Sequence, residues 1–118
     1  MWPFRRASSA ASSSPATIDV AEAWARARKG ARLIDVRSER EFAAGHPQGA
    51  RNLPPARIKA GDTGLAPDDE ILVICLSGHR SPGQAKRLAL MGYTNVANVG
   101  GGLLAWRRAG LPVKSARR

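Results

Sequence analysis

Cys75 is the only cysteine in this chain of 118 residues, and its neighbours are of the types that ionise a thiol. Leu76-Ser-Gly-His-Arg80 follows it, and then Ser81-Pro82 opens what reads as a helix. Successive backbone N–H groups in a tight, glycine-containing loop form an anion-binding nest, and the amino end of a helix adds positive potential. Arg80, with His79 beside it, contributes charge of the same sign. A thiol so placed should have a depressed pKa and act as a nucleophile near neutral pH. A lone cysteine closing a strand is ordinarily no more than a small buried hydrophobe. The order strand, cysteine, short loop, arginine, Ser-Pro helix is what favours chemistry here. That reading requires a sulfur open to solvent and amides aimed at it.

The elements around this loop follow from apolar patterning. Ile71 to Cys75 is a short, uninterrupted apolar run rich in β-branched residues, as expected of a strand buried on both faces of a parallel sheet. Ser81 is suited to capping the next helix and Pro82 to its first position, with Ala85, Leu88 and Ala89 facing inward and Gly92 closing it. Upstream, Asp19 caps a helix with Glu22 reaching back to it, Val20, Ala23, Trp24 and Ala27 share a face, and Gly30 stops it. Ala31 to Val36 is a second buried strand ending at Asp35-Val-Arg37. Ser38 to Glu41 is a capping box that starts a short helix stopped by Gly45. His46 to Asn52 is a turn, Asn52-Leu53 an extended piece, and 62–70 a polar connection. Asn95 to Val99 is a further strand, and Leu103 to Ala109 a helix anchored by Leu103, Leu104 and Trp106. Strands alternating with helices imply an α/β fold, a parallel sheet with helices on both faces. In such sheets reactive groups collect beyond the carboxyl ends of the strands, the edge to which both Asp35 and Cys75 belong.

Composition limits the alternatives. The length suits one domain, large enough to bury about two-thirds of its unfolded surface. No apolar run approaches the roughly 20 residues of a membrane-spanning helix. One cysteine excludes an intramolecular disulfide and fits a reducing, cytoplasmic setting. One cysteine and two separated histidines, His46 and His79, do not make a metal-ligand set. The net charge is +10, and no acidic residue follows Glu70. No nucleic-acid-binding motif accompanies that charge, and five of the basic residues lie near the termini, so steering of small anions is the expectation. Residues 1–16, rich in Ser and Ala and free of acids, are expected to be a disordered tail, 17–113 a domain, and 114–118 a loose basic tail.

Six stretches, taken in order, resemble a single-domain rhodanese: Leu33-Ile-Asp-Val-Arg37; Glu41-Phe42; Gly45-His46; Gly49-Ala-Arg-Asn-Leu-Pro54; Cys75-Leu-Ser-Gly-His-Arg-Ser81; and Gly101-Gly-Leu-Leu-Ala-Trp106 with Ala109-Gly-Leu-Pro112. The resemblance implies a rhodanese-like three-layer fold with a parallel sheet of about five strands. It also implies sulfur transfer through a persulfide on Cys75, with no cofactor. A departure lies after His46, where Pro47 replaces the family's usual apolar residue, and a local adjustment of that turn is expected.

On this reading the substrates are a small anionic sulfur donor such as thiosulfate and a thiol or cyanide acceptor, with a sulfur-relay protein as a further candidate partner. The N–H groups of Leu76, Ser77, Gly78, His79 and Arg80 would hold the anionic persulfide. Arg80 is expected either to orient the donor's sulfonate or to brace the loop, and His79 to face solvent. Asp35 is expected to brace the site by pairing with Arg37 or Arg40, or to hydrogen-bond the loop. A cysteine phosphatase or arsenate reductase is the rival enzyme, but those need five residues between cysteine and arginine, and four separate Cys75 from Arg80. A non-turnover sulfur carrier or an interaction module is the alternative outside enzymology.

Overall fold

Alternation along the central strand decides how the layers form. Ile71, Val73 and Cys75 pack into one apolar cluster, while Leu72 and Ile74 pack into another on the opposite face. All five are essentially inaccessible to solvent. Side chains in a strand point to alternate faces, so an unbroken apolar run must be covered twice. The structure is a computed structural model that describes residues 14–116.

The main sheet contains β1 (Ala16–Ile18), β2 (Arg32–Asp35), β4 (Arg51–Asn52), β5 (Ile71–Ile74) and β6 (Val96–Val99). Their spatial order is β1-β6-β5-β2-β4, and every pairing is parallel. Helices α1 (Val20–Arg28) and α5 (Gly102–Arg108) contribute Val20, Ala23, Leu103 and Trp106 to the cluster on one face. Helices α3 (Pro55–Lys59) and α4 (Ser81–Leu90) contribute Ile58, Ala85 and Leu88 to the other. The short α2 (Glu39–Ala44) buries none of its residues and lies past the end of β2. The three-layer arrangement with five parallel strands agrees with the expectation from the sequence.

Local features differ from that expectation, and Leu104, an expected anchor of the last helix, is exposed while Leu103 and Trp106 are buried. Ala16–Ile18 has no apolar pattern of its own, yet it adds to β6 in parallel register, Thr17 opposite Asn98. Glu22 does not close a capping box on Asp19; the Asp19 carboxylate accepts the Glu22 N–H at 2.8 Å, and the Glu22 carboxylate turns to Arg26, also at 2.8 Å. Of the expected loose tail, Lys114, Ser115 and Ala116 are tied down. β7 (Val113–Lys114) pairs antiparallel with β3 (His46–Pro47), and the Ser115 hydroxyl and Ala116 N–H both donate to Ala43 O. The expected N-terminal tail falls almost wholly outside the described residues.

Pro47 is accommodated locally. It is buried opposite Val113, and the His46 ring stacks on Phe42 at 3.6 Å between centroids, with the planes 4° apart. In the cluster that Val113 also joins, Trp106 meets Trp24 edge to face at 5.7 Å and donates its indole N–H to Pro112 O at 2.8 Å. Trp24 is half-buried and belongs to the packing, as its place on α1 predicts.

A buried ion pair fixes the exit of β2. The Arg37 guanidinium donates to the Asp35 carboxylate at 2.8–3.1 Å and to Gly45 O at 2.6 Å, with the two side chains only 4 % and 1 % exposed. Asn52 clamps the same bend, donating to Asp35 O and Arg37 O at 3.0 and 2.9 Å. Removing one member of a buried pair leaves the other charged and unpartnered. Asp35→Ala is therefore expected to lower the unfolding free energy by about 3–5 kcal/mol, measured by urea denaturation.

Candidate active site

The Cys75 sulfur lies just past the carboxyl end of β5, where the chain turns back on itself before α4. The N–H of Gly78 points at Sγ at 3.2 Å and the N–H of Ser81 at 3.3 Å. The Ser81 hydroxyl stands 3.2 Å from the same sulfur. Burial pushes the thiol's pKa up. In the ionised form, hydrogen bonds from the Ser81 hydroxyl and from the N–H groups of Ser81, Arg80 and Gly78 outweigh it and hold the pKa below its ordinary value. Of the five N–H groups expected to line the nest, those of Gly78 and Arg80 act on the sulfur, and the Ser81 N–H, which was not among the five, joins them.

The curvature of this loop depends on two glycines. Gly78 takes φ +94°, a left-handed conformation, and a Cβ there would stand 3.2 Å from Gly101 N. Gly102 lies directly behind the loop, where a Cβ would come within 2.5 Å of Cys75 O and of Leu76 C and O. The close approach lets the first turn of α5 serve the loop: Leu103 N–H donates to Cys75 O at 2.8 Å and Leu104 N–H to Leu76 O at 3.0 Å. Free N–H groups at a helix start are natural donors to such carbonyls.

Arg80 is committed to bracing. Its guanidinium forks onto the Glu41 carboxylate at 2.9 and 3.0 Å. Glu41 also closes the capping box of α2 with Ser38, so one side chain ties the start of that helix to the loop. The Arg80 fork is the main reason the Glu41 carboxyl is held down at about 2, against an ordinary 4.5. His79 is exposed, its Nδ1 2.7 Å from the Ser77 hydroxyl, as expected of a solvent-facing residue. Leu76 is half-buried against the α1–α5 cluster. Asp35 pairs with Arg37 and not with Arg40, which is exposed.

Two features depart from the sequence reading. Ser81 does not cap α4. It is the first helical residue, fully buried, and its hydroxyl donates to Asn98 Oδ1 on β6 at 2.6 Å. Cys75 is also less open than a nucleophile's position suggests, with 1 % residue exposure. The loop that encloses it is itself at the surface, with Ser77, His79 and Arg80 exposed. Sequence reasoning missed Asn98 and the second role of Glu41. A polar residue inside a run of strand residues was the available signal for the first, whereas the capping box concealed the second.

The depressed Glu41 pKa carries a sign. A carboxyl whose folded pKa lies below its unfolded value stabilises the fold above about pH 4.5, and that contribution is lost as pH falls toward about 2. Gln preserves the helix cap but not the charge. Thermal unfolding of Glu41→Gln should therefore show a deficit of about 1 kcal/mol or less at neutral pH, and the deficit should close through the acid range.

Comparison with known proteins agrees with this geometry. The sequence matches the family described as Rhodanese-like domain over residues 19–109. It is 35 % identical over 113 residues to thiosulfate sulfurtransferase 18 of Arabidopsis thaliana, covering 84 % of this chain and 83 % of the relative. It is 36 % identical over 95 residues to the thiosulfate sulfurtransferase GlpE of Haemophilus influenzae, covering 80 % of this chain and 90 % of the relative. A solved structure from Rhodopseudomonas palustris, of unknown function and described as a possible tyrosine phosphatase, superposes with a TM-score of 0.75 at 29 % identity, covering 88 % of each chain. With the matched region spanning most of the chain and sulfurtransferases among its relatives, this protein belongs to the rhodanese-like domain family.

Proposed function

We propose that the protein is a sulfurtransferase that moves a sulfane sulfur from a donor such as thiosulfate to a thiophilic acceptor, cyanide or a thiol, through a persulfide on Cys75. The observation that carries this reading is the convergence of the Gly78 and Ser81 N–H groups on Cys75 Sγ. Preorganised donors aimed at an anion stabilise it without reorganisation at the moment of reaction.

In the first half-reaction the Cys75 thiolate attacks the outer sulfur of thiosulfate. An Sγ–S bond forms, the donor's S–S bond breaks, and sulfite leaves with the electron pair. The negative charge then rests on the terminal sulfur. In the second half-reaction cyanide attacks that terminal sulfur, thiocyanate departs, and the Cys75 thiolate is restored. A thiolate acceptor reacts the same way and leaves as a persulfide. No proton is transferred in either step, which fits a site whose neighbouring His79 faces solvent.

The four-residue spacing between Cys75 and Arg80 argues against phosphatase chemistry, because the arginine is drawn aside to Glu41 instead of completing a cradle around a tetrahedral anion. Whether the protein turns over freely or relays sulfur between proteins is separated by comparing thiosulfate–cyanide turnover with persulfide exchange from a protein donor.

Mass spectrometry after thiosulfate exposure should show a gain of one sulfur located on Cys75. Cys75→Ser should abolish both the gain and the turnover while leaving the unfolding transition nearly unchanged. A Ser variant that still transferred sulfur would remove the basis of the assignment.

A further inference from the structure

Asn98 sits inside β6, 4 % exposed, in a parallel strand whose flanking positions Ala97 and Val99 are apolar. A buried amide costs free energy unless its hydrogen bonds are made. Here both ends are used: Oδ1 accepts the Ser81 hydroxyl proton at 2.6 Å, and Nδ2 donates to the Thr17 hydroxyl on β1 at 3.3 Å. The link to Thr17 turns the oxygen end of the amide toward Ser81. Ser81 in turn lies 3.2 Å from Cys75 Sγ, with the thiol positioned to donate to it. The result is a directed chain, Cys75 to Ser81 to Asn98, with Asn98 aligned by Thr17.

A serine hydroxyl has one proton. While Asn98 holds that proton, Ser81 offers the sulfur only lone pairs, which suit a thiol and oppose a thiolate. For Ser81 to serve the thiolate, the proton must swing away from Asn98 and leave a buried amide oxygen without its donor. We infer that Asn98 is a positioning residue that restrains ionisation of Cys75 by competing for the Ser81 hydroxyl proton.

The inference rests on Cys75 being the nucleophile of the proposed reaction and says what Asn98 does for it. A thiolate of higher pKa is the stronger nucleophile and the poorer leaving group. Once Sγ carries a second sulfur, its charge moves to the outer atom, and Ser81 no longer needs to donate to it. Asn98 therefore tilts the balance from the bare thiolate toward the sulfur-loaded form.

The charged groups facing Cys75 are Arg80 on its own loop and, beyond it, Asp35 at the end of β2 and Glu41 on α2; His79 stands exposed beside Arg80. Asp35 is neutralised by Arg37, and Glu41 by Arg80. The hydrogen bonds of these four groups go to other partners than Ser81 and Asn98, so a change at Asn98 reaches the sulfur through Ser81.

The test is the pH dependence of Cys75 alkylation by iodoacetamide in the wild type, Asn98→Val, Ser81→Ala and the double variant. Asn98→Val should lower the alkylation midpoint by about one pH unit, and the same substitution should leave it unmoved in the Ser81→Ala background. An equal shift in both backgrounds would show a structural effect that bypasses Ser81 and would overturn the inference. So would no shift, and so would a rise, which means that the amide presents its nitrogen to Ser81. Asn98→Ala, checked by circular dichroism, stands in if the valine variant does not fold. Alkylation reads the free thiol alone. A shift of the expected kind in a protein that failed to transfer sulfur would therefore sink the proposed function and leave this inference standing.

Discussion

For the loop amides of Gly78 and Ser81 to face a sulfur atom, the carbonyls at the start of the same loop must face the other way and still find donors. Carbonyl groups buried without partners would cost more than the nest returns. The first turn of α5 resolves this, with Leu103 and Leu104 donating to Cys75 O and Leu76 O. That contact exists only because Gly102 has no side chain to hold the two backbones apart. The free donors at the start of one helix therefore hold the loop in the shape that turns other donors, at the start of α4, toward sulfur.

The remaining supports act on this loop from its sides. Arg80 is drawn to Glu41, which pins the far end of the loop to α2, while the Asp35–Arg37 pair and Asn52 fix the bend that carries α2 there. This division leaves Arg80's charge largely spent on a carboxylate. Stabilisation of the sulfur anion then falls to neutral dipoles, backbone N–H groups above all. The basic balance of the chain as a whole, +10, remains available to draw small anions toward the surface. The sulfur itself is one step removed from that surface.

Much of this was legible in the sequence because its cause is local. The unbroken run from Ile71 to Ile74 requires a strand covered on both faces, and the Ser38–Glu41 spacing specifies a capping box that is present. Gly78 and the residues around it announce a tight anion loop. What was not legible depends on partners distant in the chain. Thr17 becomes a strand residue only by pairing with β6, and Lys114 only by pairing with His46. Ser81 has the composition of a helix cap, but its hydroxyl donates instead to Asn98, which lies 17 positions away. Glu41's second partner, Arg80, lies 39 positions away. Local pattern identifies a residue's first use and is silent on a second one supplied by the fold.

The central claim is that this ring of dipoles favours the ionised Cys75 sulfur despite its burial. An ultraviolet titration of thiolate absorbance, taken as the difference between the wild type and Cys75→Ser, measures it directly. An apparent pKa below that of a free cysteine is the predicted result. A value at or above that of a free cysteine would mean that burial outweighs the amides, and would contradict the account.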